Sequence, residues 1–174
     1  MASKALISIL GADRTGLVAA VAGRLYDLGI NLGDTSFAVL GEGAEFTALC
    51  ELPDGLEPAV VERELKELPE LDEARVAVSK SKLGPYHKPS ANVTHRIEVT
   101  GQDRPGLIAR LAEAFGQYGA NIVRMTSEKV PGAEGDRYVT RFAVWIPAAR
   151  ADACLATVGN TAGELKMAWR WEKV

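Results

Sequence analysis

Gly11-Ala12-Asp13-Arg14-Thr15-Gly16-Leu17 recurs ninety residues later as Gly101-Gln102-Asp103-Arg104-Pro105-Gly106-Leu107. Each copy follows an apolar run and opens an amphipathic one. Before the first copy, Ala5 to Leu10 reads as a β-branched strand. After it, Leu17, Val18, Val21, Leu25 and Leu28 fall on one helical face, and Gly29 ends that helix. At an offset of ninety, residues 9–36 and 99–126 share nine identities: Gly11, Asp13, Arg14, Gly16, Leu17, Ala19, Ala22, Gly29 and Asn31. The 174-residue chain therefore reads as two modules of roughly 80 residues each, small enough that neither buries a generous core alone.

Outward from the first copy, Asn31 to Leu40 is strand-like, Gly41-Glu42-Gly43 is a turn, and Phe46, Ala48, Cys50 and Leu52 alternate as a third strand. Pro58 suits the first turn of a helix whose buried face is Val60, Val61, Leu65 and Leu68, and Val76 and Val78 mark a closing strand. The order is βαββαβ. Ser79 to Asn92, with Gly84, Pro85 and Pro89, lacks periodicity and reads as a linker.

The second module repeats the order. Ile97 and Val99 mark its first strand, and Leu107, Ile108, Leu111, Phe115 and Tyr118 its first helix, ended by Gly119. A long strand runs from Val139 to Ile146, a helix from about Ala148 to Thr161, and a last strand from Leu165 to Trp171. Its second and third strands are joined by a longer connection, Val130 to Asp136. The expected division is 1–80, a linker at 81–92, and 93–174.

Composition is that of an ordinary globular protein, 47% hydrophobic and 25% charged. Residues 1–90 carry 9 lysines and arginines against 14 acids, net −5, and residues 91–174 carry 11 against 9, net +2. No basic stripe emerges, which argues against direct nucleic-acid binding. No apolar run approaches the roughly 18 residues of a membrane span. Met1-Ala2-Ser3-Lys4 leads straight into a strand pattern, so a cytoplasmic protein is expected. Cys50 and Cys154 belong to no CxxC or Cys/His cluster, and His87 and His95 have no partners at metal-ligand spacing. No metal, cofactor or catalytic residue is expected.

A strand–turn–helix carrying Asp-Arg-x-Gly offers unpaired backbone amides at the positive end of a helix dipole, where a carboxylate is well placed. Asn31 and Asn121 add donor and acceptor together, as an α-amino acid requires. Other readings stand beside this one. Asp13 and Asp103 suit helix caps, Arg14 and Arg104 suit solvated charges, and the asparagines suit turn or strand-edge positions.

Gly-x-Asp-Arg-x-Gly-Leu after a first strand, with Gly-x-Asn some fifteen residues on, resembles the ACT domain. The tandem arrangement is similar to the glycine cleavage system transcriptional repressor family of double-ACT proteins. That resemblance implies an α+β chain of two ferredoxin-like modules, antiparallel sheets side by side with helices on one face. It implies a non-enzymatic regulatory protein, with ligand sites at ACT–ACT interfaces. The residues it assigns are Asp13, Arg14, Thr15, Gly16, Leu17 and Asn31, and Asp103, Arg104, Pro105, Gly106, Leu107 and Asn121. Thr15 departs from the commoner proline, which Pro105 supplies in the second copy.

The resemblance further implies a small, glycine-like amino acid as effector and control of amino-acid or one-carbon metabolism, and the output is expected to pass through a regulatory protein partner. Two alternatives remain open. One is a ligand-free interaction module using Leu165, Met167, Trp169 and Trp171 on one face of the last strand. The other is an acylphosphatase-like hydrolase, since that βαββαβ fold also pairs a first-loop arginine with a second-strand asparagine. Finally, Leu6, Ser8 and Leu10 are more apolar than Arg96, Glu98 and Thr100 at the corresponding strand positions, which hints at a homodimer contact in the first module.

Overall fold

The register of the central strands sets each module. The computed structural model describes residues 3–84, 86–132 and 135–174. Met1, Ala2, Pro85 of the expected linker, and Ala133 and Glu134 of the longer connection lie outside the described residues. The first compact unit spans 1–85 and the second 86–174.

In the first unit, β1 (Ser3–Ala12), α1 (Leu17–Asp27), β2 (Asn31–Leu40), β3 (Gly43–Leu52), α2 (Pro58–Lys66) and β4 (Arg75–Lys80) follow in order. In the second, β5 (His95–Gly101), α3 (Leu107–Gln117), β6 (Asn121–Val130), β7 (Arg137–Trp145), α4 (Ala151–Glu164) and β8 (Ala168–Lys173) repeat it. The sheets are antiparallel throughout, in the orders β2-β3-β1-β4 and β6-β7-β5-β8. This is the expected α+β arrangement of two ferredoxin-like modules. Each places β1 or β5 centrally, so the repeated phrase leaves the middle of a sheet.

Alternation along the strands separates the two faces. Ala5, Ile7 and Ile9 point to the helices and are buried, as are Phe46, Ala48, Cys50 and Leu52 opposite them. Val21 and Leu25 of α1 and Val61 and Leu65 of α2 close that core. In the second module Ile97, Val99, Phe142 and Val144 meet Leu111, Phe115, Leu155 and Val158. Both thiols are buried and pushed up by desolvation, which leaves them unreactive.

Gly11 and Gly101 are required by packing. A Cβ at Gly11 would stand 2.7 Å from the Ala74 Cβ, and one at Gly101 would collide with the Met167 sulfur. Both neighbours precede the last strand of their module, so the same close approach is built twice. Gly11→Ala is expected to cost about 1–3 kcal/mol, because Ala74 has no flexible end to move aside. A urea titration should show a lower midpoint at an unchanged slope.

The end of the second module differs from expectation. The last helix runs on to Glu164, after a single 3₁₀ turn at Ala148–Arg150. Its closing turn then takes Leu165 to Met167, with Lys166 at φ 56° and the Met167 amide donating to the Ala162 carbonyl. The last strand therefore begins at Ala168, not Leu165. Leu165 and Met167 are buried off the strand, so the four residues do not form one strand face.

His95, at the start of β5, is buried beside Trp171, with its Nδ1 2.9 Å from the Thr94 hydroxyl. Burial, and then the Lys173 charge, hold its pKa below the ordinary 6.5. The folded state thus favours neutral imidazole, and the unfolded chain binds the proton more readily. This contribution to stability is complete above pH 6.5 and is lost as pH falls from there towards the folded value. Denaturation midpoints measured downward from about pH 8 should fall through this window, and His95→Asn should flatten the slope.

Candidate functional site

The repeated phrase forms the loop between first strand and first helix in both modules. Gly16 is the N-cap of α1 at φ 88° and Gly106 the N-cap of α3 at φ 82°. Space is open around both, so backbone handedness, not crowding, demands glycine there. A glycine N-cap carries no side-chain acceptor, and neither helix has a side-chain cap. Asp13 and Asp103 lie three residues outside the cap position, so the capping reading fails.

The Leu17 amide donates to the Arg14 carbonyl and the Ala20 amide to the Gly16 carbonyl, at 3.2 and 2.9 Å. The Val18 and Ala19 amides between them have no protein acceptor among the described residues. In the second loop, Leu107 and Arg110 make the equivalent bonds, leaving Ile108 and Ala109 open. Each loop thus presents two helix-start amides. Asp13, Arg14, Thr15 and Gly16 are exposed around the first pair. Leu17 and Leu107 are buried in the cores and anchor their loops from beneath.

The charged residues have diverged. Arg14 donates to the Pro69 carbonyl at 2.9 Å, tying its loop to the short 3₁₀ turn Pro69–Leu71. Arg104 is half-buried, and its guanidinium makes no hydrogen bond or ion pair among the described residues. Asp103 pairs with Lys129 near the end of β6 at 3.2 Å. The corresponding residue of the first module is Val39, so nothing in the sequence of that loop announced Lys129.

The asparagines do not join their own loops. Asn31 pairs with Glu51, and Glu51 with Lys4, near the start of β1. Ala12 stands eight residues further along that strand, which at the usual strand rise separates Asn31 from its loop by roughly 25 Å. Asn121 pairs with Trp145, seven residues along β7 from the Tyr138 that faces Gly101, a separation of roughly 23 Å. One module's own amides and carboxamide therefore cannot grip one small ligand together. The helix starts at the loop and ends at the asparagine, so its own length keeps them apart. The same distance separates Arg14 from Asn31 and Arg104 from Asn121, which removes the acylphosphatase pair.

The two asparagines also stand in different surroundings. Asn121 donates from Nδ2 to the Ser90 carbonyl at 2.8 Å, within a short 3₁₀ turn at Pro89–Ala91. Asn31 is exposed, its side chain makes no hydrogen bond among the described residues, and it lines a hollow of about 140 Å³. Lys4, Glu51 and the backbone at Gly33, where β2 bulges away from β3, share that hollow. Lys4 and Glu51 escaped the sequence reading because only strand register brings them to Asn31. Among the described residues no metal-binding cluster occurs, and no helix is long and apolar enough to cross a membrane.

Comparison with known proteins agrees with this geometry. ACT-domain family models match residues 3–79 and residues 95–144. A UPF0237 protein of Streptococcus mutans is 29% identical over 80 residues, 46% of this chain and 91% of that protein. A UPF0237 protein of Streptococcus pneumoniae is 46% identical over 39 residues, 22% of this chain. The chain spans less than half, 44%, of that relative's length. The crystal structure of an unknown protein from Galdieria sulphuraria superposes with a TM-score of 0.77 at 19% identity, covering 100% of this chain and 99% of that one. The structure of a candidate glycine cleavage system transcriptional repressor superposes at 0.68 with 14% identity, covering 100% and 98%. These likenesses establish the fold, and the family matches establish its kind: the chain belongs to the ACT-domain family, carrying two ACT domains in tandem.

Proposed function

We propose that this protein is a regulatory sensor of a small α-amino acid, held where the loop of one ACT module meets the asparagine of another. The observation that carries the reading is the uncommitted carboxamide of Asn31 on the edge strand β2. An edge strand that pairs antiparallel with the edge of a further module brings its first residue towards that module's loop end. The open amides of such a loop suit the ligand's carboxylate, and the carboxamide suits both of its charged ends. The site residues are then Asp13 to Leu17 and Asn31, with Asp103 to Leu107 and Asn121. Leu17 and Leu107 contribute as anchors.

Ligand between modules stabilises one arrangement over others and so alters the surface offered to a regulatory protein partner. Control of amino-acid or one-carbon metabolism follows from the likeness to double-ACT repressors. The charge balance favours action through that partner over direct contact with nucleic acid. A thermal-shift screen over the twenty protein amino acids tests the reading. A rise in melting temperature with glycine, serine or another small member is expected. No shift with any of them, on protein shown to be folded, sinks it.

A further inference from the structure

We propose that the open face of the first module's sheet is a two-fold interface between two copies of this chain. On the face turned away from α1 and α2, Leu10 pairs with Glu45 on β3 and with Arg75 on β4. The three form one row across the sheet, an apolar side chain flanked by an acid and a base. The next row, Thr47, Ser8 and Ala77, is small, and the row beyond centres on Leu6 beside Leu49. Leu10 is 48% exposed, Leu40 at the rim is 56% exposed, and a hollow of about 420 Å³ opens over the Leu10 row.

The flanking charges identify the occupant. Glu45 accepts a hydrogen bond from the Thr47 hydroxyl, and neither Glu45 nor Arg75 makes an ion pair among the described residues. They stand two strands apart, roughly 10 Å, too far to meet each other. A two-fold axis running along β1 lays Leu10 on Leu10 of a second copy. The same rotation exchanges the sides of the sheet, so Glu45 faces Arg75 of the second copy and Arg75 faces its Glu45. Sheets packed face to face lie about 10 Å apart, within reach of an arginine and a glutamate extended towards each other. The face is complementary to itself, as an isologous contact requires.

The second module shows what such a face looks like when it is complete alone. There Glu98 accepts from Arg141 and Arg170 at 2.9 and 3.0 Å, and Arg96 pairs with Glu172 at 3.2 Å. Those five charges are paired within one sheet, while Arg124 in the row of Arg96 makes no ion pair among the described residues. Those of the first module are set either side of a leucine, where the two-fold related surface answers both.

Sedimentation velocity of the full chain across a dilution series tests the proposal. Wild type is expected to dimerise, and Leu10→Lys to sediment as a monomer with an unchanged circular dichroism spectrum. Glu45→Arg and Arg75→Glu should each weaken association by about tenfold or more, since each sets like charges against each other. Mixing those two variants should restore the dimer, because the mixed pair has opposite charges at both contacts. A monomeric wild type overturns the proposal and leaves the face to some other partner. Undiminished association in the single variants, or no recovery on mixing, overturns it equally.

Discussion

Asn31→Ala should leave the melting temperature unchanged in amino-acid-free buffer and abolish the rise that ligand produces. Asn121→Ala should lower the melting temperature already in amino-acid-free buffer, besides reducing the rise that ligand produces. A ligand bound to the folded state alone, at a hundred times its dissociation constant, adds about 2.7 kcal/mol. For a unit of this size that is a rise on the order of 10 °C. Asn31 gives up no protein hydrogen bond on mutation, so its loss falls wholly on ligand. Asn121 gives up its bond to the Ser90 carbonyl, which should cost about 1 kcal/mol whether or not ligand is present. The pair thus separates an asparagine free to serve ligand alone from one that also holds its own module together. A full ligand-induced rise in Asn31→Ala would count decisively against the assignment. A neutral Asn121→Ala would show that the Ser90 contact carries no weight.

What could be read from the sequence was local, and what could not was register. The strand–turn–helix phrase is legible because a left-handed glycine and an amphipathic start lie within a few residues of each other. Helix ends at Gly29 and Gly119 are legible for the same reason. The Ile30 amide returns to the Leu25 carbonyl, and the Ala120 amide to Phe115. The last strand was misplaced because the equivalent closing turn of α4 uses Lys166, which carries no glycine signal. The distance from loop to asparagine was not legible either. Fifteen residues of sequence say nothing of separation until the intervening helix is laid along the sheet. Asp13 and Asp103 were plausible caps by composition, but the cap position was already held by Gly16 and Gly106.

Register also explains why the repeat fades outside the phrase, and it supplies the largest stability effect expected. In the first module Ile7 faces Ala48 and Ile9 faces Phe46. In the second, Ile97 faces Phe142 and Val99 faces Thr140. The bulky ring has moved one row along the strand, and the helix above has changed from Leu25 to Phe115 to receive it. Phe115 and Phe142 meet edge to face, their centroids 5.3 Å apart. Thr140, in the row that holds phenylalanine in the first module, is fully buried and accepts from the Ser127 hydroxyl. Phe142→Ala therefore removes a buried ring from the core of the second module. A loss of about 3–5 kcal/mol is expected, a large share of the 5–15 kcal/mol typical of a whole domain. Urea denaturation gives the magnitude, and faster amide exchange in β5 and β7 locates it. Thr140→Phe in the same chain should not rescue the loss. The ring would return to the row used by the first module, where Phe115 has no counterpart contact to offer. Full rescue would mean the two cores are interchangeable and their divergence neutral. Failure would show that each module has settled on its own packing beneath a shared loop.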